Sequence, residues 1–268
     1  MLRQNLFEAA RACIDATEPC VKLALTHRHA ADFLEGRSEA VEGGKVEAIA
    51  PAGHPPLPRL VDPRLLPRRG LGSVQGRAAL IHAVAHIEFN AINLAWDAVY
   101  RFRGMPDGYY IDWVRVADDE ARHFRLLADR LDELGHAYGD HDAHDGLWDM
   151  AMRTAGSCLE RMALVPRVLE ARGLDVTPGM IERLQNAGDA DTAKILEQIL
   201  REEVEHVAAG SRWFAWCCAR EGVESQSMFA HLLERHLGSA VKGPFNLEAR
   251  RRAGFSADEL IQIGALAA

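Results

Sequence analysis

Two stretches, DDEARHF at 118–124 and REEVEHV at 201–207, each place a glutamate and a histidine three residues apart inside an apolar periodicity. Residues i and i+3 of an α-helix share a face, so Glu120 points with His123 and Glu203 with His206. Around the first pair, Trp113, Val116, Ala117, Phe124, Leu127 and Leu131 recur at helical spacing. Around the second, Ile195, Leu196, Ile199, Leu200, Val207, Gly210, Trp213 and Phe214 do the same. Both glutamates are therefore expected inside the protein. A buried carboxylate needs a cation, a shared proton or a metal, which limits what can pack against these two helices.

The same periodicity divides the chain. Helices are predicted over 74–103, ended by Gly104–Met105–Pro106; 109–135, ended at Gly135; 146–171, broken by Gly173–Leu174–Asp175; and 189–221, ended before Gly222. A short segment, 178–187, starts at Pro178. Helices this long, the first two closely joined, describe an all-α, antiparallel four-helix bundle over 74–221, and no strand pattern competes. Ahead of it, 3–36 reads as two helices parted by Pro19, within an N-terminal helical extension (1–50) expected to pack or to dimerise. Six prolines in 51–72 exclude regular helix, making 51–73 a Pro-rich arm. The tail, 222–268, carries an amphipathic helix near 226–237, the stretch KGPFN and a last segment after Ser256, expected to pack on the bundle.

Helix periodicity supplies further core acids. Glu88 lies among Ile81, Val84, Ala85, Ala91, Ile92 and Ala95. The first turn centres near residue 104, with Glu88 sixteen residues before it and Glu120 sixteen after, so both stand at one height. The third helix offers Glu170 or Glu160. If 178–187 continues that helix, the turn falls at Asn186–Ala187–Gly188, which levels Glu170 with Glu203 and leaves Glu160 about 15 Å away along the axis. Glu170 shares a helical row with Leu159, Ala163 and Pro166, whereas Glu160 shares one with Arg153, Leu164 and Arg167. Glu170 is preferred, with Glu160 as the alternative. One glutamate from each of two helices plus Glu-x-x-His from each of the other two is the donor set of a carboxylate-bridged di-iron or di-manganese site. Four carboxylates and two neutral imidazoles balance two divalent ions, held about 3.5–4 Å apart by bridging carboxylates.

In this stretch the chain resembles the ferritin-like superfamily. The phrases HIEFNAINLAWD, VADDEARHF, HDGLW, VPRVLEARGLDVTP and the WF that follows the last Glu-x-x-His resemble one bacterial branch of it, domain-of-unknown-function family 455, over about 60–220. Position by position, the resemblance implies metal ligation by Glu88, Glu120, His123, Glu170, Glu203 and His206. It implies two iron ions, with manganese or a mixed Mn/Fe pair as substitutes, and O2 as co-substrate. A more distant relative with the same bundle hydroxylates a prenylated adenosine in tRNA. The expected function is accordingly a di-iron oxidase or hydroxylase acting on a small-molecule or nucleoside-like substrate. The alternative is an iron-oxidising or metal-stabilised scaffold protein without organic chemistry.

Composition bounds the partners. A formal charge of −8 and a pI near 5.8 argue against broad nucleic-acid binding. Glu8, Arg11 and Asp15 interrupt any signal-peptide core, and no later stretch approaches about 18 uncharged apolar residues, so no membrane partner is expected. Five cysteines without a C-x-x-C pair fit a reducing cytoplasm. A homodimer is compatible with the N-terminal extension.

The remaining polar residues have plainer readings. His86 and Asp119 are candidates to orient the ligands, although His86 lies two residues from Glu88 and so on another face, and Asp119 suits an exposed helix flank. His82 is read likewise, and Arg167 and Arg172, near Glu170, suit either an offset of charge around the site or surface ion pairs. Tyr100, Tyr109 and Tyr110 are expected to cap the core near the first turn, and Cys217 and Cys218 to pack. His136, His141 and His144, with Asp140, Asp142 and Asp145, are expected in a solvated crossover loop.

Overall fold

The computed structural model describes residues 4–41, 45–49, 51–67, 70–238 and 241–264. Residue 3, where the first helix was predicted to begin, residues 68–69 of the arm and residues 265–268 of the final segment lie outside the described residues. The chain forms two compact units, Met1–Asp149 and Met150–Ala268. Among the described residues the secondary structure is helical apart from a pair of two-residue parallel strands, β1 (Gln4–Asn5) and β2 (Ser38–Glu39).

In the first unit, α1 (Leu6–Asp15) and α2 (Pro19–Leu34) pack against α3 (Val74–Arg101) and α4 (Asp107–Glu133). Asn5 caps α1 by accepting from the Phe7 amide at 3.0 Å, and Ser73 caps α3 by accepting from the Gly76 amide at 3.1 Å. Lys22 of α2 is fully buried: its ammonium donates to the carbonyls of Cys13 and Ile14 at the end of α1 and to Asn93 Oδ1 of α3. The extension is thereby pinned to α3 by a cation at a helix C-terminus, where the dipole favours one. The turn between α3 and α4 is sealed by tyrosines, with Tyr109 donating to the Ala98 carbonyl and Tyr110 to the Phe102 carbonyl. α3 has the length and apolar content of a membrane span, but most of it is buried within the protein.

The arm holds one 3₁₀ turn, Pro63–Leu65, and a bridge from Leu60 to Ala143. The division between units falls inside α5 (Gly146–Arg153).

The second unit departs from the single third helix expected over 146–171. α5 stops, and α6 (Cys158–Leu164) restarts after a break that includes Gly156, with Ser157 capping it by accepting from the Glu160 amide at 3.2 Å. Buried Arg161 spans the break, donating to Thr154 Oγ1 at 2.8 Å. A π-helical turn, Val165–Glu170, follows; Pro166 lacks an N–H and its ring crowds the preceding turn, which a wider turn relieves. The expected stop at Gly173–Leu174–Asp175 does not occur. α7 (Ala171–Asn186) runs straight through Gly173 and Pro178. Pro178 cannot donate to the Leu174 carbonyl, and Asn246 Nδ2 from the tail donates to it instead at 3.2 Å. α8 (Ala190–Glu221), capped by Asp189 and ended by Gly222 at φ 69°, packs along α6, the π-turn and α7. The tail adds α9 (Ser225–Leu237), α10 (Leu247–Arg252) and α11 (Ala257–Gln262).

Candidate metal centre

In the first unit, Glu88 of α3 and Glu120 and His123 of α4 are all buried, and each offers a ligand atom within 4.8 Å of the others'. His123 Nδ1 lies 3.2 Å from Glu88 Oε2 and 3.5 Å from Glu120 Oε2. Regular helices on both sides of a short turn put the residues there: α3 and α4 are uninterrupted, so equal counts from the turn become equal heights. Burial opposes a charged His123, but hydrogen bonds to Glu120 and Glu88, together with their charges, outweigh it and raise its pKa to about 11. The pocket therefore calls for positive charge, and one imidazolium against two carboxylates leaves it short of neutrality.

The second unit carries the corresponding set. On α8, His206 is buried, and its Nδ1 stands 3.2 Å from Oε1 of Glu203, whose side chain is 12 % exposed. Glu170, at the end of the π-turn, is buried. A Cβ built on Gly210 would come within 2.5 Å of the Pro166 ring, so Gly210 is the seat on which the π-turn rests. With Pro166 opposite Gly210 and α7 joined to α8 by the short turn at 187–189, helical counting levels Glu170 with His206. Glu160 is held elsewhere: its carboxylate pairs with Arg235 at 3.0 Å and His236 at 3.4 Å, both on α9.

The two residues expected to orient ligands are placed differently. His86 points into a polar pocket of the first unit, with its Nδ1 2.9 Å from the Tyr138 hydroxyl and its Nε2 near the His144 carbonyl and the Asn90 amide. Asp119 is a partly exposed partner of Arg122. Beside His86, the residues His54, Asn90, Asn93 and Asp145 line a cavity of about 10 Å³, room for about one water. Burial pushes the Asp145 carboxyl up to about 6, helped by the charge of Asp149 and opposed by that of His54. Burial and the charge of His141 hold His82 down to about 4. The crossover loop is thus only partly solvated, because Tyr138 stacks on His82 at 5.3 Å and packs edge-on to Phe124 at 4.9 Å.

Sequence reasoning passed over the polar side of α3. Asn90, Asn93 and Asp97, at helical spacing in the most apolar helix, are all buried, and Asp97 holds Arg101 through a hydrogen bond of 2.6 Å. That spacing was the available signal: polar residues recurring at i, i+3 and i+7 within an apolar run need partners.

A groove of about 510 Å³ opens elsewhere in the first unit, at the far end of α3, where Arg11 and Arg103 lie over the Tyr100 ring at 5.8 and 5.3 Å. Tyr100 is about 18 Å along the helix from Glu88 at ~1.5 Å per residue, so the groove is separate from the acid cluster.

An uncharacterized protein of Haemophilus influenzae (strain ATCC 51907 / DSM 11121 / KW20 / Rd) is 44% identical over 216 residues, which cover 78% of this chain and 75% of that protein. No solved structure matches the chain. The family described as "Protein of unknown function (DUF455)" matches residues 15–261, and the chain belongs to it.

Proposed function

We propose that the chain is a ferritin-like, carboxylate-bridged di-iron protein that oxidises or hydroxylates an organic substrate with O2. The observation that carries the reading is the buried convergence of Glu88, Glu120 and His123. The donors fit the group: carboxylate oxygen and imidazole nitrogen suit Fe(II) and Mn(II), and a multivalent cation would offset the buried acids. Glu88 and Glu120 would hold one side and His123 would bind as neutral imidazole, giving up its proton on metal uptake. Glu203 and His206 would supply the remaining Glu-x-x-His pair. Glu170 is the preferred sixth ligand because the carboxylate of Glu160 is already engaged by Arg235 and His236.

When bound, the pair of ions supplies electrons to O2 and open positions at which it is reduced. The chain's own contribution is to exclude bulk water: Phe89, Phe124 and Tyr138 pack together next to the Glu88 and His123 positions. His86, tied to Tyr138 and Asn90, stabilises that wall without carrying charge, because burial lowers its pKa to about 4.

Anaerobic loading with Fe(II) followed by metal analysis tests the site. About two ions per chain are expected, falling by about one or more in Glu120→Ala and Glu203→Ala. Fewer than about 1.5 ions in the unaltered protein, with no loss in either variant, would overturn the dinuclear reading. O2 consumption by the loaded protein is the separate test of reaction: a loaded protein that leaves O2 untouched across nucleoside and small organic substrates keeps the site and loses the oxygenase role.

A further inference from the structure

The second unit carries Glu170 at the junction between a π-turn and an α-helix that contains both a glycine and a proline. The π-turn precedes it, and Gly173 and Pro178 follow within α7. Four contacts from the C-terminal tail meet this segment. Arg167, inside the π-turn and buried, donates through Nη2 to Glu259 Oε1 of α11 at 2.7 Å and through Nε to Ser211 Oγ of α8 at 3.1 Å. Its guanidinium lies over the rings of Phe214, Phe229 and Phe255 at 4.9, 4.4 and 4.5 Å. Arg172 donates to the carbonyls of Lys242 and Pro244. Arg250 grips Asp175 with two hydrogen bonds of 2.9 and 2.7 Å. Asn246 satisfies the carbonyl that Pro178 leaves free.

We propose that the tail is the device that fixes the π-turn and with it the carboxylate of Glu170, and that Glu259 is its positioning residue. A π-turn competes with the narrower α-turn, and the choice between them rotates every later side chain on the helix. From the π-turn, Arg167 reaches Glu259 while its guanidinium stays seated between the three rings. The ion pair therefore selects the turn, and the turn aims Glu170. The role of Glu170 as a ligand rests on the function proposed above; the clamp on the turn does not.

Glu259→Gln isolates the effect. Glu259 also closes the capping box of α11, with the Ser256 amide donating to its Oε2 at 2.9 Å, and glutamine preserves that bond. The expected result in full-length protein is unchanged helicity and about tenfold faster hydrogen exchange confined to the amides of 165–170, while 190–221 hold. Cobalt(II) titration should show the weaker of two ions bound about 10- to 100-fold less tightly, with a changed visible absorption spectrum. Arg167→Lys keeps the charge but not the forked geometry and should fall between the two on both readouts. Exposed Glu248→Gln in the same tail should change neither. Wild-type exchange at 165–170 together with wild-type cobalt binding in Glu259→Gln and Arg167→Lys would overturn the proposal. Unaltered protein that takes up no second ion, alongside faster exchange at 165–170 in Glu259→Gln, would remove the dinuclear reading and leave the clamp standing.

Discussion

The two compact units carry the same chemical pattern, a glutamate and a Glu-x-x-His pair, on backbones of opposite character. In the first, α3 and α4 run unbroken for 28 and 27 residues around one short turn. In the second, the helix facing α8 is interrupted at 154–157, widened at 165–170 and threaded by Pro178. The polar interior follows the difference. The first unit buries neutral imidazoles, His82 and His86, around Tyr138. The second buries arginine–carboxylate pairs, Arg167 with Glu259 and Arg250 with Asp175, that tie irregular backbone to the tail. Regular helices satisfy their own backbone groups, whereas a π-turn and an internal proline leave geometry to be fixed by outside partners.

If ion pairs hold the irregular path, removing one partner should cost the second unit heavily. Arg250→Ala leaves buried Asp175 with the Asn246 amide and with Arg172 at 3.9 Å, but without its two-pronged ion pair, and should lower unfolding free energy by about 3 kcal/mol in urea titration. A loss below about 1 kcal/mol would mean that the packing around Phe245 and Phe255, over which Arg250 lies, carries the segment instead.

A smaller effect separates two glycines of the same unit. Gly210→Ala would drive a methyl group into the Pro166 ring and should cost about 1–3 kcal/mol. Gly173→Ala, near the start of α7, meets nothing within 4 Å and should raise stability by roughly 0.5–1 kcal/mol. Equal thermal shifts in the two variants would show that the π-turn does not depend on its seat against α8.

The effect that belongs to the first unit shows only in acid. His82 is held down to about 4 in the folded chain, against about 6.5 when exposed. Between those values the unfolded chain binds the proton and the folded one does not, so stability falls as pH drops from about 6.5 to about 4 and is unaffected by His82 above that window. His82→Gln should flatten the decline in a pH series of urea midpoints. An unchanged slope would assign the acid sensitivity to other groups.

The acid cluster of the first unit was legible because periodicity there is strict: Glu88, Glu120 and His123 could be levelled by counting from residue 104. The role of Lys22 was hidden because a lysine in an amphipathic helix reads as solvated, and only the approach of the end of α1 to α3 supplies its three acceptors. In the second unit, counting favoured Glu170 over Glu160 on the assumption that 178–187 continues the helix, and the continuous α7 satisfies that assumption. The expected stop at 173–175 failed for a reason that lies about seventy residues away, where Asn246 and Arg250 meet Leu174 and Asp175.

By itself, then, the sequence determined the helices, their apolar faces and the carboxylates that must lie inside, because those follow from local periodicity and the cost of burying charge. Tertiary structure alone decided where the third helix bends and which arginines hold it there. A proline's missing hydrogen bond and a π-turn's extra residue are resolved by whichever distant group arrives to satisfy them, and no local pattern names that group.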